Sequence, residues 1–142
     1  MAAAQPLRVH GVLETSLYVE DLSRAVSFYE ETLGLTPLFR DSRLCAMDCG
    51  PGSVLLLFVR GMTSEIQRLP GGEIPAHEGK GRLHFAFAIA KEDLPAWERR
   101  LNEKGVPIEA RVKWPRGGDS LYFRDPDANL VEIATPGLWS NY

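Results

Sequence analysis

The chain has 142 residues, a formal net charge of −3, and apolar and charged fractions of 44% and 25%. These values are ordinary for a globular domain with a core, and they give no reason to expect binding to nucleic acid or an anionic membrane. No apolar run approaches a membrane span, and the N-terminus lacks the pattern of a signal peptide. Two cysteines, Cys45 and Cys49, are too few for a disulfide framework, so we expect a cytoplasmic, reduced protein.

The first half of the chain predicts a strand, a helix and three further strands. Residues 13–19 alternate apolar and polar side chains, which is typical of a strand. Asp21 is placed to cap a helix whose apolar residues recur at helical spacing, and Gly34 follows at its end. Further short strands are predicted over residues 36–40, 43–47 and 54–59.

A second unit of the same kind follows a connector. Residues 60–82 are dense in Gly and Pro and show little periodicity, which predicts a loop long enough to be a lid, an arm or a linker. Residues 83–89 then predict a strand, and Asp93 is placed to cap a second helix. The unit ends with a strand predicted over 106–112 and a hairpin over 120–136.

The two units align with each other, which is the signature of an internal repeat. Glu14 and His84 hold the same position in the first strand of their units. In the final hairpins, residues 53–58 match residues 129–134, which places Leu56 where Glu132 stands in the second unit.

The sequence therefore predicts an α+β fold built from two β-α-β-β-β modules. The modules would form an open, curved mixed sheet with the helices covering its outer face. Module one covers about residues 9–60 and module two about 83–137, and the connector joins them in a single domain over residues 1–142.

Three ionisable side chains are expected to meet on the inner face of this sheet. Strand side chains alternate between faces, so Glu132 points away from its apolar neighbours and needs either water or a cation. Glu14 and His84 face the same inner side. One imidazole and two carboxylates with one side left open suit a divalent metal. Alternatively, Glu14 is a solvated strand residue and His84 a core histidine.

Tyr122 and Glu132 are the candidate catalytic residues. If Arg124 pairs with Leu130 across the hairpin, Tyr122 lies opposite Glu132, and opposed residues share a face. The Tyr122 hydroxyl could then act on a metal-bound substrate as an acid or a hydrogen-bond donor, although plain packing is the alternative.

Further side chains are candidates for binding the substrate. Leu56 and Phe58 would form an apolar wall that suits a small organic ligand. Trp114 and Arg116 lie in a loop that could cover the trough, with an ordinary surface loop as the alternative. His77 in the connector is a possible lid residue. Six further side chains are interpreted as having no role in the site. The two cysteines are interpreted as small hydrophobic residues. Four arginines are interpreted as solvated: Arg8, Arg40, Arg43 and Arg60.

The opening ETSLYVEDLSRAVSFYEETLGL, the strand LHFAF and the closing YFRDPDANLVEIATP resemble the vicinal oxygen chelate superfamily. That group includes glyoxalase I, extradiol dioxygenases, methylmalonyl-CoA epimerase, and fosfomycin and bleomycin resistance proteins. The resemblance implies metal-ligand positions at Glu14, Leu56, His84 and Glu132. Leu56 cannot ligate, so three ligands remain, a number closer to the dioxygenases and the fosfomycin enzymes. Those typically carry histidine at the first position, where this chain has Glu14.

The resemblance implies a metal-dependent enzyme that holds two oxygens of a small substrate. It would be either an oxygen-inserting dioxygenase or a glyoxalase-like lyase or isomerase. The oxygen-rich ligand set favours Mn²⁺, Fe²⁺, Ni²⁺ or Zn²⁺. The alternative is a metal-free protein of the bleomycin resistance type that sequesters a hydrophobic compound. The family also implies a homodimer, and a site within one chain and a site shared between two chains both remain open.

Overall fold

The computed structural model describes residues 1–142 and contains two modules of the same connectivity. The first module comprises β1 (Glu14–Val19), α1 (Leu22–Glu31), β2 (Thr36–Arg40), β3 (Leu44–Asp48) and β4 (Val54–Val59). A hairpin of β5 (Gln67–Leu69) and β6 (Gly72–Ile74) lies in the connector. The second module comprises β7 (His84–Ala88), a 3₁₀ turn (Lys91–Asp93), α2 (Leu94–Glu103), β8 (Ala110–Lys113), β9 (Asp119–Arg124) and β10 (Leu130–Ala134).

Each module folds into one four-stranded mixed sheet, which confirms the predicted fold class. The strand orders are β1-β4-β3-β2 and β7-β10-β9-β8, so the first strand of each module lies at an edge and runs parallel to the last. Ser16 pairs with Leu56, and Ala86 pairs with Glu132 in the equivalent place. Leu56 therefore stands where Glu132 does, as the repeat predicts. The two sheets are not hydrogen-bonded to each other, and no closed barrel forms.

Helix α1 begins and ends where the sequence predicts. The Asp21 carboxylate accepts a hydrogen bond of 3.0 Å from the backbone N–H of Arg24, which satisfies a free donor of the first turn. Gly34 adopts a positive φ of 73°, which a glycine tolerates best, and its N–H bonds to the Glu30 carbonyl. Neither α1 nor α2 is long and apolar enough to cross a membrane.

One hydrophobic core serves both modules. Its 17 buried residues include Leu17 and Leu57 from module one and Phe123 and Ile133 from module two. Tyr29 of α1 lies at its centre, because the ring is fully buried and the hydroxyl donates a 2.6 Å hydrogen bond to Asp125 of the other module. Since strand side chains alternate, the opposite faces of both sheets point away from this core.

Three local predictions were wrong. The connector was predicted to have no regular structure, but Arg68 and Glu73 pair across the β5–β6 hairpin. The strand predicted over 106–112 is β8, which starts only at Ala110. The N–H of Val106 instead closes the end of α2 on the Leu101 carbonyl, and Pro107 has no N–H to donate to a neighbouring strand. Asp93 occupies the cap position of α2 but makes no side-chain cap hydrogen bond. It is the last residue of the 3₁₀ turn and has helical backbone angles, whereas a capping residue is typically extended.

The Tyr29–Asp125 hydrogen bond predicts how the stability of the protein depends on pH. Burial and then the negative charge of Asp125 raise the pKa of Tyr29 well above its ordinary value of 10.0. The Tyr29 hydroxyl therefore makes its full contribution to the free energy of unfolding below about pH 10. That contribution is lost as the pH rises towards the pKa of Tyr29 in the folded state. We expect Tyr29→Phe to lower the free energy of unfolding by about 1.5–3 kcal/mol at pH 7. The difference should shrink above pH 10.

The measurement is urea denaturation of the wild-type protein and the Tyr29→Phe variant, at pH 7 and at several values above pH 10. It gives the difference in their free energies of unfolding at each pH. The other tyrosines are common to both proteins, so their ionisation cancels in the difference. A stability difference that stays constant across the whole range would contradict the assignment.

Candidate metal and substrate site

The predicted site residues lie on the two sheet faces that point away from the shared core. Glu14, Leu56 and Phe58 belong to the face of module one, and His84 and Glu132 belong to that of module two. Within one chain, no group of three or more His, Cys, Asp or Glu side chains could hold a metal ion. The structure thus brings His84 and Glu132 together and leaves Glu14 apart from them.

His84 and Glu132 face each other through a ring nitrogen and a carboxylate oxygen. His84 Nδ1 lies 2.9 Å from the Leu130 carbonyl oxygen, which can only accept, so Nδ1 carries a proton. His84 Nε2 lies 3.3 Å from Glu132 Oε1. A proton on Nε2 would make this contact a hydrogen-bonded ion pair. Without that proton the nitrogen and the carboxylate oxygen are both acceptors, and a metal ion could bind to both.

Two further residues hold the Glu132 carboxylate in place. Glu132 is only 4% exposed, and its Oε2 accepts a 2.5 Å hydrogen bond from the Ser120 hydroxyl. Ser120 in turn accepts a 2.8 Å hydrogen bond from the indole N–H of Trp114. Because Oε2 is occupied in this way, Oε1 is the oxygen left to face His84.

Trp114 therefore anchors the buried side of Glu132. The two roles considered from the sequence were a cover over the trough and an ordinary surface loop. Arg116, in the same loop, is exposed, and its side chain makes no hydrogen bond or ion pair. Ser120 was missed by the sequence analysis. The signal was available, because Ser120 and Tyr122 are two residues apart on one strand and so share a face.

Tyr122 lies opposite Glu132 in the register Leu130–Arg124, Glu132–Tyr122, which confirms the predicted pairing. Its ring stacks on that of His84, with 6.1 Å between centroids. Burial, followed by the negative charge of Glu132, raises the pKa of Tyr122. The hydroxyl consequently stays protonated near neutral pH and can serve as a hydrogen-bond donor.

A cavity of about 500 Å³ opens on the polar face of module one. We call it the module-one cavity, and the side chains that characterise it are Glu14, Tyr18, Arg43, Leu56, Phe58 and His77. It contains the predicted apolar wall and one predicted metal ligand. It also contains Arg43, which the sequence analysis interpreted as solvated; the structure shows this arginine half-buried.

The connector forms one side of the module-one cavity and is tied to β1. His77 Nδ1 and the Tyr18 hydroxyl are 2.6 Å apart. The backbone N–H of His77 donates to the Thr63 carbonyl, and the Thr63 hydroxyl donates back to the His77 carbonyl. Gly79 packs against the Tyr18 ring so closely that a Cβ atom there would lie 2.5 Å from a ring carbon. His77 therefore lines the cavity together with Leu56 and Phe58.

Comparison with known proteins places this architecture in one family. The sequence profile of the Glyoxalase/Bleomycin resistance protein/Dioxygenase superfamily matches residues 11–133. Metallothiol transferase FosB from Bacillus licheniformis is 31% identical over a region that covers 93% of this chain and 79% of the FosB chain. Glutathione transferase FosA from Serratia marcescens is 33% identical, covering 87% and 79%. The crystal structure of lactoylglutathione lyase from Agrobacterium tumefaciens has a TM-score of 0.84 at 33% identity, covering 93% and 98%.

All three of these relatives are enzymes by name, and the first is a metallothiol transferase. The similarity covers most of this chain. At the level of the superfamily, this chain is thus related to metal-dependent enzymes.

The hydrogen-bond chain from Trp114 to Glu132 can be tested through its energetics. We expect Ser120→Ala to lower the free energy of unfolding by about 1.5–3 kcal/mol, because a buried carboxylate loses its donor. Trp114→Phe should lower it by about 0.5–1.5 kcal/mol. The double variant should lose clearly less than the sum, because both hydrogen bonds involve the Ser120 hydroxyl.

Urea denaturation of the single and double variants completes this double-mutant cycle. Trp139→Phe is the matched control, since Trp139 is 66% exposed and its indole makes no hydrogen bond. Effects that add within about 0.5 kcal/mol would show that the two hydrogen bonds do not act together.

Proposed function

The chain belongs to the glyoxalase, bleomycin resistance protein and dioxygenase superfamily, and on that premise we propose that it is a divalent-metal-dependent enzyme acting on a small organic molecule. The observation that carries the proposal is the 3.3 Å approach of His84 Nε2 to Glu132 Oε1. The Leu130 carbonyl holds the imidazole and Ser120 holds the carboxylate, so both ligand atoms are oriented before any metal arrives. A divalent ion there would act as a Lewis acid on substrate oxygens.

Glu14 is the proposed third ligand, and it would come from a second copy of the chain. The outer edges of β1 and β7 carry no neighbouring strand, so each presents unpaired backbone groups. Leu13 and Leu83 precede these edges at equivalent positions, and both are exposed apolar side chains. Module one of one copy beside module two of another would cover both edges. The resulting homodimer would hold two equal sites by two-fold symmetry.

Within this site the protein's own side chains divide the work. Tyr122 donates a hydrogen bond to a substrate oxygen, since its hydroxyl stays protonated and lies next to Glu132. Leu56 and Phe58 contact the apolar part of the substrate and keep water away from it. The full-length relatives are a lyase and two transferases, which favours a lyase, isomerase or transferase over a dioxygenase. Mn²⁺, Fe²⁺, Ni²⁺ and Zn²⁺ all suit the ligand set.

Metal analysis of the purified protein tests the proposal directly. We expect about one divalent ion per chain, because a two-fold dimer with two sites has one site per chain. Glu132→Ala should lower the metal affinity by roughly 100-fold or more, since even residues that only orient ligands change it by 10–100-fold. Isothermal titration with Mn²⁺ and Zn²⁺ measures this. Glu103→Ala, which removes an exposed carboxylate from α2, is the control.

A protein without stoichiometric metal, in which Glu132→Ala also changes nothing, would overturn the enzyme proposal. It would then be a metal-free binding protein of the bleomycin resistance type.

The shared site makes a separate prediction about mixed dimers. Glu14→Ala and His84→Ala would each disable every site in a pure dimer. After unfolding and refolding together, half of the dimers contain one chain of each kind, and each mixed dimer regains one intact site. We therefore expect about a quarter of all sites to bind metal with wild-type affinity. Recovery of no wild-type sites from a mixture that does form mixed dimers would show that the ligands come from a single chain.

A further inference from the structure

We propose that the module-one cavity binds a small organic carboxylate with an apolar body, and that Arg43 recognises its carboxylate group. This inference rests on the proposed function in one respect, namely that the ligand would be the substrate of the enzyme. The binding itself requires no metal, so it can be measured independently.

The Arg43 guanidinium makes no direct ion pair with a carboxylate; the nearby negative charge is that of Asp41, whose pKa the arginine lowers. The guanidinium carbon of Arg43 lies 5.6 Å from the centroid of the Phe58 ring, which holds the group at the cavity wall. Its side chain makes no hydrogen bond, whereas its backbone N–H donates to the Asp41 carboxylate and its carbonyl accepts from the N–H of Val59. Four arginines of the chain form an ion pair with a carboxylate, and Arg43, like Arg116, does not. Arg43 differs from the exposed Arg116 because it is half-buried in a cavity wall.

The chemistry of the guanidinium identifies its partner. Its donors form a planar fork that matches the two oxygens of a carboxylate, and hydrogen bonds between charged groups are the strong ones. Arg43 is half-buried, so it has already lost part of its hydration. A ligand carboxylate would supply the missing partner inside a cavity where the attraction is less screened than in bulk water.

The rest of the cavity suits an apolar body. Tyr18 stacks on Phe58 with 6.0 Å between ring centroids, and the His77 ring meets Phe58 edge-on at 4.9 Å. Leu56 extends this wall towards Glu14. The volume of about 500 Å³ lies within the range of small-molecule sites.

The charges of the cavity also set an upper limit on the charge of the ligand. Arg43 is the only lysine or arginine that lines it, whereas Glu14 and Glu65 are both carboxylates. A ligand with a second negative charge would meet these carboxylates without a second cation to offset them. The cavity should consequently select a monocarboxylate over a dianionic phosphonate of the same size.

Titration calorimetry on protein dialysed against a chelator tests this selection. Phenylacetate is the probe and 2-phenylethanol is its neutral counterpart. Benzylphosphonate is the dianion, and the titrations are run at a pH above its second pKa so that both of its protons are lost. We expect phenylacetate to bind about tenfold or more tightly than 2-phenylethanol, as a hydrogen-bonded ion pair would give. Benzylphosphonate should bind more weakly than phenylacetate.

Three variants connect the result to the residues. Arg43→Gln should reduce the affinity for phenylacetate about tenfold and leave that for 2-phenylethanol unchanged, which also shows that the variant is folded. Glu65→Gln should raise the affinity for phenylacetate, because a like charge is removed from the cavity. Arg8→Gln, which removes a positive charge from an exposed residue outside the cavity, should change neither affinity.

The inference is overturned if wild-type protein does not prefer phenylacetate, if Arg43→Gln keeps that preference, or if benzylphosphonate binds more tightly. These outcomes leave the metal measurements untouched, so failure here would refute the ligand class alone. If the protein selects carboxylates but binds no metal, the ligand inference stands and the proposal of a metal-dependent enzyme is refuted.

Discussion

The shared core between the two modules is the constraint on which the rest of the structure depends. Both sheets bury one face in it, and the hydroxyl of Tyr29 in α1 bonds to Asp125 in the turn between β9 and β10. Because strand side chains alternate, burying one face of each sheet in this core turns the other face away from it. The two faces that carry the candidate ligands therefore point away from the centre of the chain. A single chain can assemble only part of the proposed site, and this is why the proposal requires a second copy.

On module two, the candidate ligands are held by their neighbours rather than by each other. The Leu130 carbonyl orients the imidazole of His84, and Ser120 with Trp114 orients the carboxylate of Glu132. On module one, the connector shapes a cavity in which Arg43 has no carboxylate partner. In the proposed site, module two would hold the metal rigidly, and module one would select the ligand. The two halves of this site would meet only across the dimer interface.

Much of the fold and of the candidate site could be predicted from the sequence, because both are encoded in regularly spaced side chains. Alternation located both edge strands, the internal repeat placed Leu56 where Glu132 stands, and hairpin register placed Tyr122 opposite Glu132. The misses share a physical cause. Arg43, Ser120 and Trp114 act through contacts whose partners depend on side-chain direction and burial, and a propensity pattern carries neither. The connector hairpin was missed because its two strands have only three residues each, too few for a period to show.

The sequence by itself determined the order of helices and strands in the two modules, their equivalence, and the type of side chain at each candidate ligand position. These properties follow from local propensity and from the two-residue and 3.6-residue periods of strands and helices. Only the tertiary structure decided that His84 meets Glu132 while Glu14 stays apart, and that Arg43 lines a cavity. Such facts depend on how the modules pack against each other, and that packing is set by the complementary shapes of buried side chains distant in sequence, which no local pattern encodes.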